Sequence, residues 1–278
     1  MKTLLVLTDF SQAATHAAKY AALFAKQLNA ERILLFNKLQ SITTIPSTPL
    51  VLTKTLTAKE EALSNLKQLA NELKFLKATN TELMYTAKEG SLDDLTNELI
   101  GKYQVDFVVM GLTGKSKLEQ TLIGSNTLQV AKTVSKPLLI VPELSKLTPI
   151  SKIATVLDLL DLKQANIVSN VLKSLLNERD IELHVMSQEH DNIPLDSLHN
   201  HNFHAVKEKF SPYKPSYYTI SGIDFVFEVL NFTKEHRISL LVHVEKKRNF
   251  FENLFMADVT EKMAYISHIP LLLVKQPN

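Results

Sequence analysis

The chain has 278 residues, of which 45% are hydrophobic and 22% charged, with a formal net charge of +2. This length and composition are typical of a globular protein with one large domain or two of about 140 residues. The small net charge predicts no strong electrostatic field that would attract nucleic acid or membrane. Cysteine is absent, which excludes disulfides, thiolate zinc sites and thiol nucleophiles. The N-terminus does not resemble a signal peptide, and no segment approaches the roughly 18 apolar residues of a membrane span. We therefore expect a cytoplasmic protein that binds neither nucleic acid nor membrane.

Strands and helices alternate in the first half. A polar segment over 40–56, with Pro, Thr and Ser but no periodicity, predicts a loop. Ser11 is a good N-cap for the first helix, and Ser91 for the third. The predicted strands cover 3–7, 32–36, 82–87, 107–110 and 138–141. The predicted helices cover 11–28, 57–77, 91–103 and 125–134.

The second half has the same alternation. Strands are predicted at 153–157, 181–186, 216–220, 240–243 and 271–274. Helices are predicted near 163–177, 195–210, 223–236 and 258–268. Short, continuous apolar strands that alternate with helices are typical of parallel sheets covered on both faces. The fold class is therefore α/β, with two tandem doubly wound domains, each a five-stranded parallel sheet with helices on both faces.

An internal repeat supports this division. Residues 103–141 align with 236–274 at a constant offset of 133 without gaps. Each segment has a buried strand, a polar and aromatic stretch, a helical segment and a final strand that follows a proline (PLLIV or PLLLV). The polar linker 143–151 predicts domains over 1–144 and 150–278. Because bare apolar edges are usually paired or covered, we expect the two final strands to pair within one chain.

Glycines cluster in the stretch MGLTGKSKLEQTLIGSNT (110–127), which holds three of the six glycines. Gly111 ends a strand, at the edge where open α/β sheets bind ligands, and a glycine there would permit a sharp turn and a close ligand approach. Gly114 could adopt a positive φ, and Gly124 precedes a helix whose N-terminus would suit a phosphate. Glycines in a strand-to-helix loop are also common without any ligand, so the spacing alone leaves both interpretations open. The spacing matches neither a P-loop nor a dinucleotide fingerprint.

The spacing Gly111-x2-Gly114-x9-Gly124-Ser125 resembles the nucleotide-binding motif of the universal stress protein family, in its ATP-binding branch. The whole chain resembles a tandem member, and many members have His where Thr113 stands. The resemblance implies an ATP or related adenine nucleotide, with or without Mg²⁺, in the first domain. It also implies a stress-response regulator or sensor rather than an enzyme, with an unknown protein partner, an intramolecular pseudo-dimer of the two domains and an optional homodimer. The alternatives are a slow ATPase or nucleotide-transfer enzyme, and a nucleotide-free interaction module.

The resemblance also implies a role for each matching residue. The base and ribose would meet Leu7, Thr8 and Asp9, the backbone of Phe36 or Asn37, and Met110 and Gly111. The ribose or phosphates would meet Thr113 and Gly114. The phosphates would meet Gly124, Ser125, Asn126 and Thr127.

The second half lacks this motif. The offset of 133 puts Val244, Lys247, Ala257 and Asp258 where Gly111, Gly114, Gly124 and Ser125 stand. A carboxylate at the phosphate position would repel the ligand, so we expect no nucleotide in this half. Either Asp158 or Leu159 would align with Asp9.

Three histidines, His199, His201 and His204, are the remaining candidates for chemistry. Imidazole is a common metal ligand, but no acidic or thiol partner is spaced with these residues. A solvated surface explains them better, and we predict neither a metal site nor catalytic residues.

Overall fold

The computed structural model describes residues 2–40, 49–112, 125–157, 161–176, 181–188, 199–221, 224–245 and 268–276. The chain divides into two compact units, and the second takes up the chain from Leu144. Each unit is described separately.

Five parallel strands form the sheet of the first unit, in the order β3-β2-β1-β4-β5. The strands are β1 (Thr3–Leu7), β2 (Arg32–Leu39), β3 (Glu82–Glu89), β4 (Phe107–Leu112) and β5 (Leu138–Pro142). The helices are α1 (Gln12–Leu28), α2 (Pro49–Leu73), α3 (Leu92–Tyr103) and α4 (Ser125–Thr133).

The second unit has a sheet of the same type, in the order β10-β9-β6-β7-β8, again with parallel pairs. Its strands are β6 (Lys152–Val156), β7 (Glu182–Gln188), β8 (Ser216–Ile220), β9 (Leu240–Glu245) and β10 (Leu271–Lys275). Its helices are α5 (Leu162–Leu176), α6 (His199–Phe210) and α7 (Phe225–Glu235). The predicted α/β class, with five parallel strands in each half, is confirmed. The predicted helix over 258–268 falls almost entirely outside the described residues.

Strand registers agree with the alignment of the two halves. Leu4 faces Phe107 in the first unit, and Ile153 faces Leu240, 133 residues further along the chain, in the second. The N–H of Thr8 donates to the carbonyl of Phe36 (2.9 Å), and the N–H of Leu157 donates to that of Met186 (2.8 Å). This makes Leu157 the counterpart of Thr8. Asp158, which lies outside the described residues, therefore aligns with Asp9 in sequence, and Leu159 does not.

Helix α1 packs closely on the first sheet because its buried face is made mainly of alanine. Ser11 is its N-cap, as predicted, and its Oγ accepts a hydrogen bond from the N–H of Ala14 (3.2 Å). The helix ends at Asn29, which adopts the left-handed conformation with φ 52°. The alanines buried along its length are Ala13, Ala14, Ala17, Ala18, Ala21, Ala22 and Ala25. Methyl side chains let the helix backbone approach the buried strands β1 and β4, and this fixes where the helix begins relative to the sheet edge.

Two local predictions were wrong. Helix α2 begins at Pro49, within the segment predicted to be a loop, and ends at Leu73. Proline suits the first helical position because its φ is preset and its missing N–H is not needed there, and each threonine costs less than about 0.7 kcal/mol of helix propensity. Strand β2 continues past residue 36 to Leu39 because β3 pairs with it along its whole length. Ser91 is the N-cap of α3, as predicted, and its hydroxyl donates to the carboxylate of Asp93 instead of capping the backbone.

Among the described helices, none combines the length and the apolar character that a membrane crossing needs.

A buried histidine lies among aromatic rings in the second unit. His184 on β7 is 6% exposed, and within the described part of the chain neither ring nitrogen has a hydrogen-bond partner. Its ring stacks on Tyr218 (5.6 Å between centroids) and meets the rings of Phe232 (5.9 Å) and His236 (5.7 Å). Its Nε2 lies 3.6 Å from Oε2 of Glu182. Burial lowers the pKa of His184, and the charges of His236 and Lys152 act in the same direction, whereas Glu182 opposes them.

We predict that acid destabilises the fold through His184. Because the pKa is lowered only in the folded state, the unfolded chain takes up this proton first as the pH falls below about 6.5. The free energy of unfolding should therefore fall between pH 7 and pH 5. The variant His184→Phe keeps an aromatic ring but cannot titrate, so urea unfolding should show a shallower pH dependence. Equal slopes for His184→Phe and wild type would contradict the prediction.

Candidate functional site

A cavity of about 350 Å³ lies at the carboxyl edge of the first sheet, where β1, β2 and β4 end. In open α/β sheets this edge is the usual ligand-binding position. The residues that line it are Leu7, Thr8, Asp9 and Ser11 from β1 and the following turn, Ala13 and Ala14 from α1, Phe36, Lys38 and Gln40 from β2 and its end, Leu92 from α3, Met110, Gly111 and Leu112 from β4, and Asn126 and Thr127 from α4.

The turn between β1 and α1 is held by its own side chains. The N–H of Phe10 donates to Oγ1 of Thr8 (3.0 Å), and the N–H of Ser11 donates to Oδ1 of Asp9 (3.0 Å). Phe10 adopts a φ of 65°, a left-handed conformation that is unfavourable for a bulky residue. These hydrogen bonds, together with the Ser11 cap, compensate for that cost. The turn fixes the exposed carboxylate of Asp9 at the cavity wall.

Asn37 supports this turn from the neighbouring strand. It is 8% exposed, and its side-chain amide donates to the carbonyl of Thr8 (2.8 Å). The residues on either side of it, Phe36 and Lys38, line the cavity, whereas Asn37 does not. The observed role of Asn37 is thus to position Thr8, and its predicted backbone contact with a base stays a prediction.

Gly111 is needed for packing between a helix and a strand. It lies inside β4, paired with Val141, and not in a sharp turn as its sequence position suggested. A Cβ at this position would lie 2.5 Å from the carbonyl oxygen of Ala13 and 2.8 Å from the nitrogen of Ala14. The space that a side chain would fill is therefore occupied by the backbone of α1. The helix N-terminus can reach the cavity because residue 111 has no side chain.

The cavity brings together most of the predicted site residues that the structure describes. Leu7, Thr8, Asp9, Met110, Gly111, Asn126 and Thr127 all line it. Ser125 is the first residue of α4, whereas Thr113, Gly114 and Gly124 lie outside the described residues. Sequence reasoning missed Lys38 and Gln40, because the predicted second strand ended at residue 36. The alternation of Phe36, Lys38 and Gln40 along one face of a longer strand would have revealed them.

The cavity has an apolar wall and an edge suited to anions. Leu7, Phe36, Met110 and Leu112 supply a surface on which a flat apolar ring can lie. The first turns of α1 and α4 and the start of α3 also line the cavity, and helix N-termini favour negative charge. Of the described residues that line the cavity, Asp9 carries the one carboxylate and Lys38 the one ammonium group. The arrangement can therefore hold a ligand with a ring, a hydrogen-bond donor and an anionic group.

The three histidines considered in the sequence lie in one helix of the second unit. His199, His201 and His204 fall in α6, and across the described residues no group of three His, Cys, Asp or Glu side chains comes together.

Residues 1–142 match the model of the universal stress protein family. The chain belongs to this family. It is 29% identical to Universal stress protein MJ0577 of Methanocaldococcus jannaschii over 153 residues, which are 50% of this chain and 94% of that protein. It is 30% identical to Universal stress protein MJ0531 of the same organism over 149 residues, which are 52% of this chain and 84% of that protein.

A solved structure extends the likeness of fold to both units of this universal stress protein. The crystal structure of a universal stress protein from Archaeoglobus fulgidus is similar over 99% of this chain and 98% of that chain, with a TM-score of 0.73. The sequences are 16% identical, so this likeness concerns the fold.

The second unit differs from the first at the corresponding edge. Val244 stands at the position of Gly111 and is 1% exposed. Asp161 caps α5 by accepting hydrogen bonds from the N–H groups of Lys163 (2.9 Å) and Gln164 (3.1 Å). Gln164, like Ala14, is the third residue after its cap, and its side chain donates to the carbonyl of Val244 (3.3 Å). A buried amide side chain thus lies where the first unit has a methyl group beside its cavity.

We predict that Gly111→Ala destabilises the first unit. The added methyl group would overlap the backbone of Ala13 and Ala14, so α1 and β4 would have to separate, at a cost of about 1–3 kcal/mol in the free energy of unfolding. Gly101→Ala is the matched control, since a Cβ there meets nothing within 4 Å and the residue lies inside α3. It should stabilise the protein by about 0.5–1 kcal/mol. Urea denaturation of both variants tests this, and a Gly111→Ala variant as stable as wild type would contradict it.

Proposed function

We propose that the first unit binds an adenine nucleotide, with ATP as the main candidate, and that the protein is a stress-response regulator or sensor. The observation that carries this proposal is the cavity at the carboxyl edge of the first sheet, which combines an apolar wall, the Asp9 carboxylate and the first turn of α4. Membership of the universal stress protein family and the motif Gly111-x2-Gly114-x9-Gly124-Ser125 support it.

Each part of a nucleotide has a matching surface. The base would lie against Leu7, Phe36 and Met110, and a ribose hydroxyl would donate to the carboxylate of Asp9. The phosphates would lie at the first turn of α4, near Thr127, where helix N–H groups favour anions. The glycines of the motif would add backbone N–H groups to this cradle. Mg²⁺, where it accompanies the phosphates, would be held by phosphate oxygens and water.

The composition of the cavity favours binding over turnover. Phosphoryl transfer needs a group that orients the nucleophile and carboxylates that hold metal near the phosphates. Asp9 is the one carboxylate on the described cavity wall, and its Oδ1 already accepts a hydrogen bond from the backbone of Ser11. We therefore propose a nucleotide-binding protein without an enzymatic activity, and a turnover assay on the pure protein tests this.

We further propose that the second unit holds no nucleotide and instead presents a surface to a protein partner. Val244 and the buried side chain of Gln164 occupy the edge that corresponds to the cavity. In the sequence, Ala257 and Asp258 replace the Gly124-Ser125 pair, and a carboxylate opposes a phosphate.

Titration calorimetry with ATP should give one equivalent per chain. Gly124→Val should abolish this binding, because a branched side chain would block the approach of a phosphate to the backbone. Gly101→Ala, at an exposed position of α3 that does not line the cavity, should bind like wild type. Mass spectrometry of ligand released from the purified protein identifies which nucleotide the protein carries. Two equivalents per chain would contradict the assignment of the second unit, and no binding of any adenine nucleotide would contradict the proposal as a whole.

A further inference from the structure

Lys38 gives the cavity a cationic group on the β2 side. It is exposed, lines the cavity between Phe36 and Gln40, and forms no ion pair with any carboxylate among the described residues. Its cross-strand neighbour Lys88, in register on β3, is instead paired with Glu98. The charge of Lys88 is thus neutralised by Glu98, whereas the ammonium group of Lys38 faces the cavity.

The two positive features of the cavity come from β2 and from α4, the helix that follows β4. Strand β1 lies between β2, which carries Lys38, and β4, which leads to α4. Adjacent strands are about 4.8 Å apart, so β2 and β4 are separated by about 10 Å. The first turn of α4, with Asn126 and Thr127, also lines the cavity, and Asp9 follows β1, the strand between β2 and β4. In the order of the strands, the features are the Lys38 ammonium group on β2, the Asp9 carboxylate after β1 and the N-terminus of α4 after β4.

This order selects for a particular distribution of charge in the ligand. Lys38 and the first turn of α4 each favour an anionic group, whereas Asp9 repels anions and accepts hydrogen bonds from neutral donors. A ligand with one phosphate chain satisfies one side and leaves Lys38 without a partner. A ligand with a phosphate at each end and a hydroxyl or amino donor in the middle satisfies all three.

We propose that the site prefers an adenine nucleotide with a second phosphate on its sugar, and that Lys38 is the residue that sets this preference. The inference rests on the proposed nucleotide-binding function and names the ligand class for that site. The 5′-phosphate lies at α4, the donors of the nucleoside face Asp9, and the sugar phosphate on the 2′ or 3′ oxygen pairs with Lys38.

The test compares AMP with adenosine 3′,5′-bisphosphate and adenosine 2′,5′-bisphosphate by calorimetry on the full chain. Wild type should bind one of the bisphosphates about fivefold more tightly than AMP. A gain of this size is typical of a charge-assisted hydrogen bond, such as that between Lys38 and a phosphate, at a partly exposed site. In Lys38→Gln the ratio of bisphosphate affinity to AMP affinity should fall to about one. Lys38→Arg keeps the positive charge and should keep most of the wild-type preference. Lys88→Gln is the matched control and should keep the wild-type ratio, because Lys88 is already paired. Thermal melts of each variant exclude loss of the fold as the cause.

The outcomes separate this inference from the function on which it rests. If wild type binds AMP or ATP but gains nothing from a sugar phosphate, the inference is overturned and the nucleotide site stands. If Lys38→Gln weakens AMP and both bisphosphates by the same factor, Lys38 serves the 5′-phosphate, and the inference is again overturned. If wild type binds no adenine nucleotide, the proposed function itself fails.

Discussion

The close contact between α1 and β4 at Gly111 is the constraint on which the cavity depends. The backbone of Ala13 and Ala14 occupies the space that any side chain at residue 111 would need. This contact places the first turn of α1 at the sheet edge, and the hydrogen bonds of Thr8, Asp9 and Ser11 then fix the turn that precedes it. The buried alanines of α1 extend the same close approach along the helix.

In the second unit the carboxyl edge of the sheet differs from that of the first unit, although the arrangement of the strands is the same. Its strands have the same order and matching registers, yet residue 244 is a buried valine and the side chain of Gln164 bonds its carbonyl. The hydrogen bond satisfies the buried amide, and so the polar group does not destabilise the unit. Strand pairing depends on the backbone, whereas ligand binding depends on a few side chains at the sheet edge. Substitutions at that edge can therefore change which ligand fits while the fold is retained.

The sequence predicted the sheet well because buried parallel strands are short apolar runs, such as those of β1 and β5, whose signal is local. It also predicted Asp9 and Thr127 at the cavity, since strand ends and helix starts in an α/β fold meet at one edge. It missed Lys38, because β2 is extended by pairing with β3, which is a tertiary effect on residues of low apolar character. It wrongly predicted a sharp turn at Gly111 and missed the contact with α1, because a sequence does not show which atoms fill the space of an absent Cβ.

Phe10 carries a consequence for how this protein would respond to a ligand. A bulky residue with a φ of 65° is held in place by side-chain hydrogen bonds on both sides of it, so the turn has one well-defined conformation. The conformational entropy of this turn is lost when the chain folds and not when a ligand binds. Because the turn is already ordered, ligand binding costs less entropy and the affinity is higher. A ligand that enters the cavity would therefore meet a turn whose backbone is already held by hydrogen bonds between β1 and α1.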